Sequence, residues 1–499
     1  MKLLLSSLLT TTMLLAAGAA SAQEFRIGLQ EDPDVLDPHK SRTFVGRLVY
    51  ASLCDKLIDV DAELKFVPRV ATDWSWNEDN TKLTFTIRDD MTFHDGTKLD
   101  AAAVVANLER ARTLPDSLRK SELTSVTGVE APDATTVVLT LAQPDATLLA
   151  QLSDRAGMLL SPATFESDIG TNPVCSGPYK FVSRVQNDRI VLEKFANHPD
   201  ADDYHFERLV FQPIPDSTVR LANLRAGDLD MLERLNPSDA AAVRDDENLQ
   251  FMPIAGLGYQ GITINTSGEG DGDNPLGTDK RVRQALQLAI GRDIINEVVG
   301  NGLFEPAQQP FPPASPYNSD DYPVVTRDVE AAKALLAEAG HERVAFTLSF
   351  GNNTTATAIN ELIQAMATEA GFDISLQPTE FAAMQQEMQA GNYQAAQIGW
   401  SGRVDPDGNL HQFVTCEGTL NDSNYCNEEV DRLLNEARET PDPEARLPLY
   451  NQAQAILQDD LPIIYVYHQP WPFVLASNVE GFQPYPDGML RLKGVTMAE

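Results

Sequence analysis

Val344-Ala-Phe-Thr-Leu348, Ile359-Asn-Glu-Leu-Ile-Gln-Ala-Met366 and Phe372-Asp-Ile-Ser-Leu376 follow one another with two different rhythms. In the first and third, apolar residues fall at every second position, the period of a half-buried strand. In the second, Ile359, Leu362, Ile363 and Met366 recur at helical spacing before Gly371 ends the run. The alternation extends outward in both directions. Upstream, Ala332, Leu335, Leu336 and Ala339 precede Gly340, and Val282, Ala285, Leu286, Ala289 and Ile290 form one face of a helix that ends by Gly300. Downstream, a further helix ends at Gly391 and Tyr393 to Trp400 reads as a strand. Alternating helix and strand predicts an α/β lobe around a largely parallel sheet, with ligands beyond the carboxyl ends of its strands.

The first half of the chain reads differently. Leu83, Phe85 and Ile87 alternate with Thr84, Thr86 and Arg88, Asp89-Asp90 breaks the strand, and Asp100 caps a helix over Ala101 to Arg110. A second alternating run, Thr135 to Leu141, suggests a small subdomain from about Asp61 to Asn172. An acidic, glycine-rich stretch, Thr266 to Thr278, separates the two halves. The Pro/Tyr-rich segments Gln309 to Pro323 and Gln469 to Pro486 read as irregular packed loops.

The amino terminus has the form of an export leader: Lys2, an apolar run from Leu3 to Ala17, and the small residues Ala20-Ser21-Ala22 before Gln23. No cysteine follows to take a lipid, so a soluble periplasmic protein is expected. Without Lys2 the chain carries 37 basic and 73 acidic residues, a formal charge of −36. Such a field repels phosphate backbones and argues against nucleic-acid binding. About 480 residues exceed one hydrophobic core, so at least two lobes are expected. In an oxidising compartment the four cysteines suggest two disulfides out of three possible pairings. Pairing Cys416 with Cys426 across a short polar loop leaves Cys54 with Cys175.

Several motifs fail on context. Gly256-Leu-Gly-Tyr-Gln-Gly261 matches the dinucleotide fingerprint by letter, but Ile262-Thr-Ile-Asn265 continues as a strand where a phosphate-binding helix must begin. The glycines read instead as a place where the chain crosses closely between lobes. Gly399-Trp-Ser-Gly-Arg403 lacks the last glycine of a nucleophile elbow. None of the seven histidines stands in a metal-binding or catalytic arrangement, and no glutamate closes a calcium loop around Asp271 and Asp273. No cofactor, metal or catalytic residue is therefore expected, and the chain reads as a binder and not an enzyme.

Leu83-Thr-Phe-Thr-Ile-Arg88 leading into Phe93-His-Asp-Gly-Thr97 resembles a signature stretch of the peptide and nickel class (family 5) of periplasmic solute-binding proteins of ABC importers. Asn172-Pro-Val-Cys-Ser-Gly-Pro-Tyr-Lys180 is similar to that family's G-T-G-P-Y element, with Cys175-Ser176 in place of the usual small pair. Leu224 to Asp230, Arg281 to Leu286 and Asp431 to Leu434 extend the likeness over nearly the whole mature chain. The resemblance implies a two-lobed type II periplasmic binding fold with an inserted subdomain (cluster C-like). A first lobe is expected over 23–60 and 173–264, the subdomain over 61–172, a second lobe over 265–467, and a return to the first lobe over 468–499. It also implies closure on a ligand and delivery to a membrane permease with its ATPases, by a protein expected to be a monomer.

In peptide-binding relatives an aspartate three residues after the tryptophan of a G-W element holds the ligand's ammonium; here that place carries Arg403. A guanidinium grips a carboxylate or phosphate, so an anionic ligand is expected: an acidic or N-blocked peptide, a glutathione-like compound or an opine. The competing reading is that Arg403 only pairs with Asp405 or Asp407 and shapes the loop. Trp400 offers an apolar wall, with Ser401, Asp405 and Asn409 beside it. Asn352, Asn353 and Thr354 follow a strand within reach of a ligand, and Tyr259, Gln30 and Asp32 are candidates from the first lobe. The rival functions are a binder of an oligosaccharide or metal chelate, and a secreted hydrolase.

Overall fold

A computed structural model describes residues 23–498; the segment expected to be an export leader lies outside the described residues. The chain forms two lobes and an inserted subdomain, each around its own sheet. The first lobe has seven strands, in the order Leu249–Ala255, Pro470–Ala476, Met231–Leu232, Glu24–Leu29, Arg208–Pro213, Arg189–Lys194 and Tyr179–Val185. Phe25, Ile27 and Leu29 project from the central strand into a core closed by Leu48, Val49 and Leu53 of the helix Phe44–Leu53 and by Leu490 and Leu492 near the carboxyl end. The disulfide Cys54–Cys175 ties the end of that helix to the chain entering Tyr179–Val185, and Cys416–Cys426 closes a loop of the second lobe.

The subdomain is a four-stranded antiparallel sheet, Ala71–Trp76, Lys82–Ile87, Thr136–Leu141 and Val126–Glu130 in chain order except for the last two, whose places are exchanged. Leu83, Phe85 and Ile87 face the core as their alternation requires. Asp100 caps the covering helix by accepting from the Ala103 amide; the helix continues past Arg110 to Thr113.

The second lobe has six strands, ordered Glu305–Pro306, Ile463–His468, Tyr259–Ile264, Ala395–Trp400, Val344–Gly351 and Phe372–Thr379. Four sequence expectations are corrected here. The sheet is mixed: only Val344–Gly351 runs parallel to both its neighbours, and the other pairings are antiparallel. The reason is that the chain enters the lobe along Tyr259–Ile264 and leaves it along Ile463–His468, so these adjacent strands must oppose each other. Second, Tyr259–Ile264 belongs to this sheet, which moves the start of the second lobe from residue 265 to Tyr259; the crossing itself falls at Gly256–Gly258, within the glycine segment expected to make it. Third, the helix expected to reach Gly300 breaks at Ile290-Gly291 into Lys280–Ala289 and Arg292–Val298. The break turns the buried Arg292 inward, where its Nε donates to the carbonyls of Ala307 and Tyr465. Fourth, Pro470–Ala476, read as irregular because of its prolines, is a strand whose Trp471, Phe473 and Leu475 alternate into the first lobe's core.

Candidate functional site

Two strands link the lobes, crossing side by side. Leu249–Ala255 passes into Tyr259–Ile264 at Gly256–Gly258, and Ile463–His468 passes back into Pro470–Ala476 at Gln469. They are cross-linked at the crossing: Gln260 donates to the Gln469 side chain at 2.6 Å, and the His468 Nδ1 hydrogen bonds the Gly258 carbonyl at 3.0 Å. The glycines are a packing requirement. A Cβ on Gly258 would lie 1.8 Å from the Trp400 carbonyl oxygen, and Gly402, at φ +88°, lies against the backbone of Leu257 and Gly258. The inter-lobe crossing therefore rests directly on the loop that follows the strand Ala395–Trp400.

That loop is shaped by Asn409. Its Oδ1 accepts from the Trp400 indole at 3.1 Å and from the Arg403 amide at 2.7 Å, and its Nδ2 donates to the Arg403 carbonyl at 2.9 Å. The fold thus presents the Arg403 side chain on a fixed base, its guanidinium stacked 4.2 Å over the Trp400 ring. Neither carboxylate expected as a local partner reaches it. Asp405 takes a two-point contact from Arg446 at 2.7 and 2.8 Å, and Asp407 is held by Arg438 at 2.7 and 3.1 Å.

Arg403 instead meets the other half of the molecule. Its Nε lies 3.0 Å from Oδ2 of Asp154, which follows the subdomain helix Leu148–Leu152, and Arg47 of the first lobe embraces the same carboxylate with Nε at 3.0 Å from Oδ1 and Nη2 at 2.9 Å from Oδ2. Ser401 accepts from Arg47 at 3.4 Å and from Arg403 at 3.3 Å. First lobe, subdomain and second lobe converge on this point, around a cavity of about 10 Å³ lined by Arg47, Val60, Ser153, Asp154, Arg403 and Val404 among others. A larger cavity of about 170 Å³, between Glu305 and Val324, is lined by none of them. The lobes also touch at their rims, where the Ala146 amide donates to the Arg438 carbonyl at 2.9 Å and Ser121 meets Thr419 at 3.4 Å.

The electrostatics of the point are those of crowded cations. Burial, then the neighbouring Arg47 and Arg155 charges, push the Arg403 guanidinium well below its ordinary pKa. Burial and Arg119 bring Arg155 down to about 10. Both keep their proton at neutral pH. Burial works to raise the Asp154 carboxyl, but Arg47, Arg403 and Arg155 outweigh it and hold it well below the usual range.

The other candidates lie elsewhere. Asn352, Asn353 and Thr354 are exposed; the Asn353 side chain caps the helix Thr354–Glu369, accepting from the Ala356 amide at 2.9 Å. Tyr259 is buried edge-on against Tyr465 and Phe413 in the second lobe's core. Asp32 accepts from Arg184 and from the Asn187 amide, both at 2.9 Å, and Gln30 accepts from Arg234 at 3.3 Å. Sequence reasoning missed Arg47 and the Asp154-Arg155 pair. Arg47 carried a usable signal: it is the one charged residue in Phe44–Leu53, an otherwise apolar or neutral helix.

Comparison with known proteins agrees with this architecture. The family described as bacterial extracellular solute-binding proteins, family 5 middle, matches residues 65–421. The glutathione-binding protein GsiB of Escherichia coli (strain K12) is 27% identical over 485 residues, covering 94% of this chain and 93% of that protein. Among solved structures, the periplasmic binding protein DppA of Helicobacter pylori, in complex with the peptide STSA, superposes with a TM-score of 0.87 at 23% identity, over 95% of this chain and 98% of that one. The murein tripeptide binding protein MppA of Escherichia coli superposes with a TM-score of 0.88 at 23% identity, over 96% and 99%.

Proposed function

Since the chain belongs to the bacterial extracellular solute-binding proteins of family 5, we propose that it captures a peptide or related small acid by a carboxylate, between its two lobes. In this reading it acts in the periplasm as a monomer, has no catalytic step, and hands its ligand to an ABC permease with its ATPases. The observation that carries the ligand class is the guanidinium of Arg403, fixed by Asn409, stacked on Trp400 and met across the gap by Arg47. A planar fork of donors in a water-poor gap matches a carboxylate in shape and charge, whereas it repels an ammonium. Asp154 already stands as a carboxylate against both arginines, which marks the chemistry that the place accepts. The two crossing strands supply the hinge, and the rim contacts of Ala146 with Arg438 and of Ser121 with Thr419 form on closure.

Titration calorimetry on the mature protein tests this with acetyl-Ala-Gln, which bears one carboxylate, and its carboxamide, which bears none. Saturable heat for the acid, at least tenfold weaker binding of the carboxamide, and both peptides recovered intact are expected. Equal affinity for the two, or cleavage of either, removes the reading. An opine bearing a carboxylate at the same place passes the same test, and competition against the peptide ranks the two.

A further inference from the structure

Of the two disulfides, one is sealed in a core and one is open to solvent. Cys54 and Cys175 are 2% and 0% exposed, whereas Cys426 is exposed and Cys416 partly so. Attack on a disulfide needs a sulfur that an incoming thiolate can reach, so a thiol reductant meets Cys416–Cys426 first. The segment closed by this bond, residues 417–425, joins the helix Asp407–Val414, which follows the Arg403 loop, to the helix Glu428–Glu439.

This closed loop faces the other side of the gap and touches both bodies there. The Thr419 hydroxyl donates to that of Ser121 in the subdomain at 3.4 Å, and Asp422 stands 4.0 Å from the guanidinium of Arg42 in the first lobe. Arg42 is firmly mounted: Asp34 accepts from its amide at 2.7 Å and from the hydroxyls of Ser41 and Thr43 at 2.7 and 2.9 Å. Burial raises the Asp422 carboxyl and Arg42 lowers it, so the counter-charge of this largely buried anion comes from the opposite body. On its own lobe the loop has tethers besides the disulfide. The Ser423 carbonyl accepts from the Thr266 amide at 2.8 Å, and the Asp422 carbonyl from the Tyr393 hydroxyl at 2.7 Å. These keep the loop on the second lobe when the bond is opened. The bond adds pre-organisation: a short closed ring has little freedom left to lose when the lobes meet, whereas the opened segment must be ordered anew at each closure.

We propose that Cys416–Cys426 is a redox-sensitive clasp, which when intact holds the loop in the shape that meets Ser121 and Arg42 on closure, and which when reduced by a thiol weakens ligand retention without unfolding the protein. This rests on the reading of the protein as one that closes on its ligand, and it places a control of closure outside the carboxylate contacts. In the step, one thiolate of a dithiol such as dithiothreitol attacks a cysteine sulfur and the S–S bond breaks. Its second thiol then displaces the mixed disulfide. Two cysteine thiols and one cyclic disulfide result, with two electrons and two protons passed from the reductant to the protein.

The test is titration calorimetry of the mature protein with acetyl-Ala-Gln and its carboxamide, before and after native treatment with dithiothreitol, while alkylation of an aliquot and mass mapping identify the cysteines opened. Opening of Cys416 and Cys426 alone is expected, with both peptides bound about three- to tenfold more weakly, their ratio kept, and full affinity restored on reoxidation. The double variant Cys416→Ser with Cys426→Ser should match the reduced protein and ignore the reductant. Thr419→Ala with Asp422→Asn, which strips both contacts from the loop, should bind weakly from the start and lose less than a further twofold on reduction. Unchanged affinity with the bond open overturns the clasp, as does a full further loss in the stripped variant, or opening of Cys54–Cys175 first. In each of these cases preference of the oxidised protein for the acid leaves the carboxylate reading standing. Equal binding of acid and carboxamide removes that reading while the clasp is still read from either peptide, and binding of neither removes both.

Discussion

Replacing Arg403 with methionine separates the binding role of this residue from any role in holding the fold. The substitution removes the guanidinium but keeps a flexible apolar stem to cover Trp400, over which the charge sits at 4.2 Å. Loss of a direct charge-assisted contact to a ligand carboxylate costs about 1.5 to 3 kcal/mol, which corresponds to binding roughly 10- to 150-fold weaker. Stability should hardly change. Asp154 keeps its two-point contact with Arg47 at 2.9 and 3.0 Å, so no buried anion is stranded, and one of four crowded cations is gone. The melting midpoint should therefore stay within a few degrees. Titration with acetyl-Ala-Gln and its carboxamide reads the effect: the acid weakens by the stated factor and the carboxamide does not. Arg403→Lys, which keeps the charge but loses the fork, should fall between. Unchanged affinity for the acid, or equal losses for acid and amide, would refute the argument, since a guanidinium that only shapes the loop cannot distinguish them.

Gly258→Ala should destabilise the protein by about 1 to 3 kcal/mol in a urea titration and weaken ligand binding, because the new methyl would lie 1.8 Å from the Trp400 carbonyl oxygen and must push the Arg403 loop away. Removing both cysteines of a pair should cost about 5 kcal/mol for Cys54–Cys175, whose partners are 121 residues apart, and about 3 kcal/mol for Cys416–Cys426, 10 apart. Urea midpoints of the two double variants should fall in that order. Acid should destabilise the fold before the carboxylates titrate. Burial holds His94 and His468 neutral down to about pH 4, so between pH 6.5 and 4 the unfolded chain binds more protons and stability falls as pH falls. The loss reaches up to about 3 kcal/mol for each imidazole. A urea midpoint that is flat between pH 7 and 4.5 would contradict it.

Local chemistry alone determined much of this protein. Period-two alternation at Leu83 to Ile87 and helical spacing at Ile359 to Met366 are properties of neighbouring residues, and each element formed where its apolar face demanded burial. Asp100 and the strand following Gly261 were legible for the same reason. The Trp400 loop was singled out in another way, by its resemblance to the G-W element of peptide-binding relatives, with Arg403 in the place of their aspartate. Tertiary structure alone decided the partners. Arg403 and Asp154 are separated by 249 positions and come from different bodies, so no spacing rule connects them, and the nearby Asp405 and Asp407, which sequence proximity favoured, were taken by Arg446 and Arg438 from helices further along. The glycines marked where the chain crosses between lobes, but which lobe takes the strand after them was equally a global matter. Tyr259–Ile264 reads as a strand in isolation, but the sheet it joins depends on Ile463–His468, some two hundred residues later, lying down beside it. Ion pairs and strand neighbours are chosen by proximity in space, and a linear pattern records only proximity along the chain.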